Sequence, residues 1–501
     1  MKKYFIKDKN YKLKEIFELI NNKPKIFLSA DVENLVRESQ KTVDRILESS
    51  QIVYGINTGF GKLSQVKIPK IQLIKLQKNL LLSHSVGVGK PINDEIVWTM
   101  LLIKIISLSK GFSGISFELL ENLVFMLNSG YLPIVPSKGS VGASGDLAPL
   151  AHMALPLIDQ GEVRKKHKVY QSKNIFNFNY SLRPKEGLAI INGTQFSCSL
   201  GIVSLSKINR LVKIADVVSA LSFEALLGTV EAFRDDVQKV KMHNEQVKVA
   251  KNLNLLLKNS EINDSLRDRS KVQDMYSLRC IPQVHGASRE SLKNINKIIE
   301  NEINSVSDNP IVLSKSNEIV SAGHFHAEIV AQALDTAAIA VSSFANISER
   351  RIYSLIDGDF DLPPFLIENA GVNSGYMMLQ VTAAALVSEN KTLSYPASVD
   401  SIPTGAGQED HVSMAPWAGR KLLKIIKNTE TVLAIELLLS IQALYFRKSY
   451  KPAENLIRLH DFLKSKIKKI KNDKYFNDEL NFVIELISNG NILNYVSKKI
   501  K

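Results

Sequence analysis

Cysteine is nearly missing from this chain: Cys198 and Cys280 are the only thiols in 501 residues. That excludes a disulfide framework and leaves packing as the source of stability, as suits a reducing compartment. Long hydrophobic runs are missing as well. The two most apolar stretches, Ile96–Leu108 and Val432–Phe446, fall short of the ~20 residues a bilayer requires and carry Lys104 and Glu436. They are expected to be buried helices. The N-terminus, MKKYFIKDKNYKLKEIF, has no continuous apolar core and no small-residue cleavage site, so it does not read as a secretory leader. A cytoplasmic, soluble protein with no membrane contact is expected. Acidic residues are also in deficit, 50 against 64 basic ones, for a net charge of +14. Such an excess raises nucleic acid as a partner. The densest basic run, Lys464–Lys474, however, has Phe462, Leu463, Ile467 and Ile470 at helical spacing around it and reads as a solvated helix face. No zinc finger or aromatic RNA-reading strand accompanies it, and nucleic acid is not expected.

What is present is ordinary in bulk and unusual in places. Hydrophobic residues make up 45% and charged residues 23%, the balance of a globular protein. A chain this long exceeds one small core. From about residue 200 the apolar residues recur at helical spacing in long stretches. Helices are expected over Ser204–Phe223, His243–Leu257, Ser291–Ile303, Ala327–Arg350, Met377–Glu389 and Gly419–Arg447. Before residue 200, shorter helical segments alternate with loops at Gly55–Gly61, Gly87–Pro91 and Pro133–Gly145. The expected class is mainly α: a loop-rich N-terminal region over 1–200 and a long-helix bundle over 201–501.

The glycine-rich pieces fail the common templates. GINTGFGKL and GVGKP lack the spacing and the Ser/Thr of a phosphate-cradling P-loop, and GASG is one residue short of a nucleophile elbow. A different chemistry fits KGSVGASGDLAPLAHMAL, residues 138 to 155. In a tightly bent Ala143-Ser144-Gly145, the Gly145 amide nitrogen can attack the Ala143 carbonyl carbon and close a five-membered ring. Glycine suits the attacker because no side chain obstructs the strained approach. Loss of one water from the ring and one from the Ser144 side chain leaves a methylidene imidazolone, an electrophilic carbon that acts as a built-in cofactor. Asp146, at the join, is expected to cap the following helix and to help orient the loop.

The loop resembles the prosthetic-group loop of the aromatic amino acid ammonia-lyases. The resemblance recurs in order along most of the chain: YGINTGFGKL at 54, LLLSHSVGVGKP at 80, IINGTQ at 190, QDMYSLRCIPQVHG at 273, DNP at 308, HFHAE at 324, MMLQVTAAAL at 377 and GQEDHVSMA at 407. It implies a helical fold of the aspartase/fumarase-like ammonia-lyase type and a homotetramer with shared active sites. It also implies a 4-methylidene-imidazol-5-one made from Ala143, Ser144 and Gly145, whose methylene captures the substrate amine. No external cofactor and no metal are implied. Tyr54 matches the base that removes the β-proton, which requires surroundings that favour its phenolate. Arg279 matches the carboxylate clamp, a task for a two-pronged planar donor. Asn192, Gln273 and Tyr276 match polar residues around substrate and prosthetic group, and Phe325 an aromatic residue near the ring.

Substrate choice is read from a few positions. Phenylalanine- and tyrosine-directed members typically have Asn-Gln-Asp where this chain has Gln408-Glu409-Asp410. Glu409 offers an acceptor for an imidazole N–H, which a phenyl ring cannot use. His84 after Ser83, the DLAPLAHM segment and Met377 also match histidine-directed members. The implied reaction is L-histidine to trans-urocanate and ammonia. The alternatives are a tyrosine ammonia-lyase or 2,3-aminomutase and, more remotely, a basic nucleic-acid-binding protein without catalysis. His324, His326 and Glu328 have a spacing that could hold a metal, and the family commonly has Asn at the position of His324. Cys280, next to Arg279, reads as a small core residue.

Overall fold

The computed structural model describes residues 2–49, 51–265, 272–447 and 450–500. The described residues form a mainly α protein, with strands confined to small two- and three-stranded pairings. Two compact units divide the chain. The first comprises Met1–Val203, Asn296–Asp335 and Pro396–Arg420; the second comprises Ser204–Ile295, Thr336–Tyr395 and Lys421–Lys501. The units are thus assembled from separated stretches, whereas 1–200 and 201–501 are contiguous segments. The cause is helix length: Gln195–Ala225, Ile281–Ile303, Glu328–Ile356 and Ala415–Leu444 each contribute residues to both units.

In the first unit, Asp94–Leu108 is buried continuously from Ile96 onward, Lys104 included, as its all-round apolar sequence requires. Three shorter helices, Leu73–His84, Leu147–Ala154 and Glu186–Ile191, pack on one another. Strand Val88–Pro91, just after the first of these, pairs antiparallel with Pro136–Lys138. That pairing anchors the entry to the glycine-rich loop that precedes Leu147.

The second unit is built of helices such as Asn244–Leu256, Met377–Leu393 and Asn477–Ser488. Residues Val432–Leu444 are buried on every side. Glu436, the charge in that stretch, is paired with the equally buried Arg351 (Nε to Oε1, 2.5 Å).

Two helices start well before the positions that periodicity gave, at Gln195 rather than Ser204 and at Ile281 rather than Ser291. Ser291–Ile303 thus lies within Ile281–Ile303, whereas the helix expected over Gly419–Arg447 runs over Ala415–Leu444, earlier at both ends. Pro282 and Pro416 stand second in these helices, where the helix needs no N–H. The basic run is a correction: its helix stops at Lys466, and Lys464–Lys474 is not one helical face. Beyond the helix, the Ile470 N–H bonds Gln442 Oε1 (3.1 Å) and its carbonyl accepts from Gln442 Nε2 (3.3 Å), so a buried side chain holds the irregular backbone. Glu328–Ile356 is long and apolar enough to cross a membrane by length and composition, but 67% of its apolar window is buried inside the protein. Its apolar face already has protein neighbours.

Candidate active site

The 139–146 loop is pinned from two sides within the first unit. On one side, Gly145 and Gly193 form a β-bridge, and the Asp146 N–H donates to the Gly193 carbonyl at 2.7 Å. Gly145 has φ +81°, and a Cβ there would stand 2.4 Å from the Gly193 nitrogen. Only glycine fits this close passage of two backbones. Asn192 Nδ2 donates to the Ser144 carbonyl at 2.5 Å. On the other side, Ser413 Oγ donates to the Gly142 carbonyl (2.9 Å) and the Met414 N–H to the Val141 carbonyl (2.8 Å).

Asp146 does not cap the helix it precedes. Its side chain makes no cap bond to Leu147–Ala154. The carboxylate turns instead to the first turn of Gln195–Ala225, accepting from the Ser197 N–H (2.8 Å) and the Ser197 hydroxyl (2.9 Å), with Ser140 Oγ at 3.2 Å. Asp146 therefore ties the loop to a different helix terminus, where backbone N–H groups lack helical partners. It is fully buried, and burial pushes its carboxyl up to about 6 despite these donors.

Tyr54 sits in a loop closed by Gly55, whose N–H bonds Thr58 Oγ1 (3.2 Å). Gly55 has φ +73°, and a Cβ on it would come within 2.7 Å of Leu188. The Tyr54 hydroxyl is 3.5 Å from the Gly61 N–H. Burial and the Glu409 charge push the phenol upward, opposed by that N–H. Within this unit Tyr54 is held as a phenol, contrary to the expected phenolate-favouring surroundings.

Glu409 faces the same space. Its loop closes through paired bonds between the Thr404 and Glu409 backbones (2.9 and 3.3 Å) and packs on the 61–63 turn next to Tyr54. Ser144 Oγ donates to Glu409 Oε1 at 3.2 Å, while Oε2 is buried with no hydrogen-bond partner among the described residues. His84 ends the 73–84 helix with Nδ1 2.8 Å from the Leu80 carbonyl. A carbonyl only accepts, so Nδ1 bears the proton and Nε2 presents a lone pair. Burial lowers the pKa of this ring and keeps it neutral. Phe325 is half-buried in the same unit.

The remaining matched residues lie in the second unit. Arg279 Nε donates to the Asp274 carbonyl (3.0 Å) and Nη2 to Gln273 Oε1 (3.1 Å), with its guanidinium 4.6 Å from the Tyr276 ring centroid. Tyr276 is 71% exposed. Met377 opens the helix Met377–Leu393 and is half-buried. In the first unit, the His326 ring stacks on His411 at 5.8 Å, and His411 Nε2 lies 4.0 Å from Glu328. Periodicity and motif reading missed Lys104, Gly193, Ser197 and Ser413. Lys104 had a signal, a lone cation within an apolar helix; the others only become visible once the chain is folded.

A helical scaffold that bends an Ala-Ser-Gly tripeptide between two glycine backbones, an asparagine amide and a carboxylate defines a lyase architecture of the ammonia-lyase type. Residues 11–465 match the sequence profile of the aromatic amino acid lyases, and the chain belongs to that family. It is 44% identical over 497 residues to a histidine ammonia-lyase of Caldanaerobacter subterraneus, covering 98% of each chain. A histidine ammonia-lyase of Idiomarina loihiensis is 46% identical over 471 residues, 93% of this chain and 92% of that one. The crystal structure of histidine ammonia-lyase from Trypanosoma cruzi superposes with a TM-score of 0.90 at 36% identity, over 100% of this chain and 96% of that one.

Proposed function

We propose that this protein eliminates ammonia from L-histidine to give trans-urocanate, at an electrophile formed by cyclisation and double dehydration of Ala143-Ser144-Gly145. The observation that carries the substrate reading is the buried, unpartnered Oε2 of Glu409. A carboxylate oxygen left unpaired in a buried site is costly, and an imidazole N–H supplies the missing donor. Full-length similarity to histidine ammonia-lyases of two bacteria supports the same substrate.

The residues present fit the prosthetic group. Gly145 passes Gly193 too closely for any side chain, and Asn192 already donates to the Ser144 carbonyl, which becomes the ring carbonyl on cyclisation. The group would supply a carbon electrophile for the substrate. Asn192 draws electron density toward the Ser144 oxygen, the task of a preorganised hydrogen-bond donor. Tyr54 is proposed to take the β-proton, with Arg279 holding the carboxylate and Gln273 and Tyr276 beside it. Tyr54 needs added positive charge to serve as base, and a homotetramer in which neighbouring chains complete each site would bring it. The exposed Tyr276 with its Arg279 supports such sharing. Glu409 accepts the imidazole N–H, and His84, Phe325 and Met377 wall the site. A cytoplasmic location accords with two free thiols, one of them buried.

The test combines mass and turnover. Purified wild-type chain should weigh two water molecules less than its sequence and convert L-histidine to a product with urocanate's near-ultraviolet absorbance. Ser144→Ala should keep its full mass and lose activity by ~10³-fold or more. A full-mass wild type that still turns over histidine would remove the electrophile, and preference for tyrosine would remove the substrate.

A further inference from the structure

Lys104 is a buried cation that the proposed chemistry does not use. It sits in the apolar helix Asp94–Leu108 with 1% of its surface exposed. Burying an ammonium there is expensive unless its donors are satisfied. Its Nζ donates to the Ala189 carbonyl at 3.0 Å and to the Asn192 carbonyl at 2.8 Å. Both acceptors lie at the end of Glu186–Ile191, where helix carbonyls lack intrahelical partners and the dipole favours a cation. Asn192 and the next residue, Gly193, grip the prosthetic loop from this side.

We propose that Lys104 is a positioning residue for the electrophile: by clamping the Asn192 main chain, it aims the Asn192 amide at the Ser144 carbonyl and fixes the Gly193 backbone against Gly145. This rests on the prosthetic-group reading above and adds a residue that touches neither substrate nor ring. The chain of contacts is short. Nζ meets the Asn192 carbonyl, the Asn192 side chain meets Ser144, and no flexible link intervenes. Of the buried charges that act on it, Lys185 and Asp308 bond each other at 2.7 Å. Burial lowers the Lys104 ammonium to about 7, with Asp308 and Asp146 opposing and Lys185 adding to the fall. Even the neutral amine retains two N–H donors, enough for both carbonyls.

Lys104→Met removes the donors and keeps the length. The folded variant should show an incomplete fraction of doubly dehydrated chain by intact mass. Per dehydrated chain its kcat should fall ~10-fold, with KM for L-histidine within about twofold, because aim rather than binding is lost. The same substitution in an Asn192→Ala background should add little, since the effect runs through Asn192. Lys104→Gln, which keeps an amide donor, should be intermediate in both readouts. Complete dehydration with wild-type kcat in either folded variant overturns the proposal, even if the melting temperature falls. Failure of both variants to fold also overturns it, assigning Lys104 to stability alone. A wild type that is itself not dehydrated would instead overturn the prosthetic-group reading, and this inference with it.

Discussion

Two fully buried aspartates, one in each unit, have opposite fates. Asp216 in the second unit lies against Arg289 (2.7 Å), His285 Nδ1 (2.8 Å) and Asn252 Nδ2 (2.8 Å). Burial pushes its carboxyl up, but the Arg289 charge and the His285 bond prevail and hold it below the usual carboxylate range. Asp146 in the first unit has only hydroxyl and amide donors, and burial prevails. The contrast extends to the neighbours. In the second unit Arg351 closes on Glu436, which also accepts from Ser348 (2.6 Å), although the equally buried Glu224 has only the Ser260 hydroxyl (2.5 Å) and the Ala453 N–H (2.7 Å). The first unit also has a closed pair, Lys185 with Asp308 (2.7 Å), but near the loop Lys104 goes to backbone carbonyls and a Glu409 oxygen has no partner among the described residues. Paired charges hold helices together. Next to the tripeptide, Asp146 and Lys104 are held by hydroxyl, amide and carbonyl groups instead.

Breaking the closed pair should have the largest effect on stability. Arg351→Met strands the Glu436 carboxylate in the core and should cost about 3–5 kcal/mol of unfolding free energy by denaturant titration. Adding Glu436→Leu should recover part of that loss. A loss below ~1 kcal/mol for the single variant would mean that the second unit is no more dependent on its pairs than the first.

Opening the unpartnered site further should affect selectivity more than folding. Glu409→Gln should lower kcat/KM for L-histidine by one to two decades, the ~1.5–3 kcal/mol of a charged hydrogen bond. It should cost tyrosine or phenylalanine far less. Measuring several amino acids on one preparation makes folding defects cancel, and an unchanged histidine-to-tyrosine ratio would strike Glu409 from the specificity residues.

The smallest effect sharpens the aspartate contrast through pH. The Asp146 carboxyl is raised when folded, so its stabilising contribution is full below its ordinary value near 4 and is lost as pH rises through about 6. The Asp216 carboxyl is lowered, so its contribution is present above the ordinary value and is lost as pH falls through its folded one. The melting-temperature advantage of wild type over Asp146→Asn should shrink by a few degrees between pH 4 and pH 7. The advantage over Asp216→Asn should instead grow as pH rises out of the acid range. Parallel slopes would erase the distinction.

Much of this was legible in the residues alone. Helical periodicity located the long helices, because a buried stripe repeats whatever its partner, and the ordered motifs singled out Tyr54, Ser144 and Glu409, which the fold brings near one another. Which helix terminus a carboxylate reaches is a tertiary matter, so local rules gave Asp146 to the wrong helix. The Tyr54 environment escaped for the same reason: a tyrosine beside Gly55 says nothing of a carboxylate more than three hundred residues away. Lys104 was visible only as a charge that spoiled a membrane span, since its acceptors are main-chain carbonyls, which sequence does not distinguish.

The bonds from Ser413 and Met414 to the loop carry a consequence for the timing of synthesis. Ser413 follows Gly142 by 271 residues, and the ribosome delivers the chain from its N-terminus. Ser144 therefore leaves the ribosome long before the segment that holds its loop from the second side. A nascent or truncated chain ending short of Ser413 lacks that half of the vice and can hold its loop from the Asn192–Gly193 side alone. Formation of the proposed electrophile would then await chains that extend past Ser413.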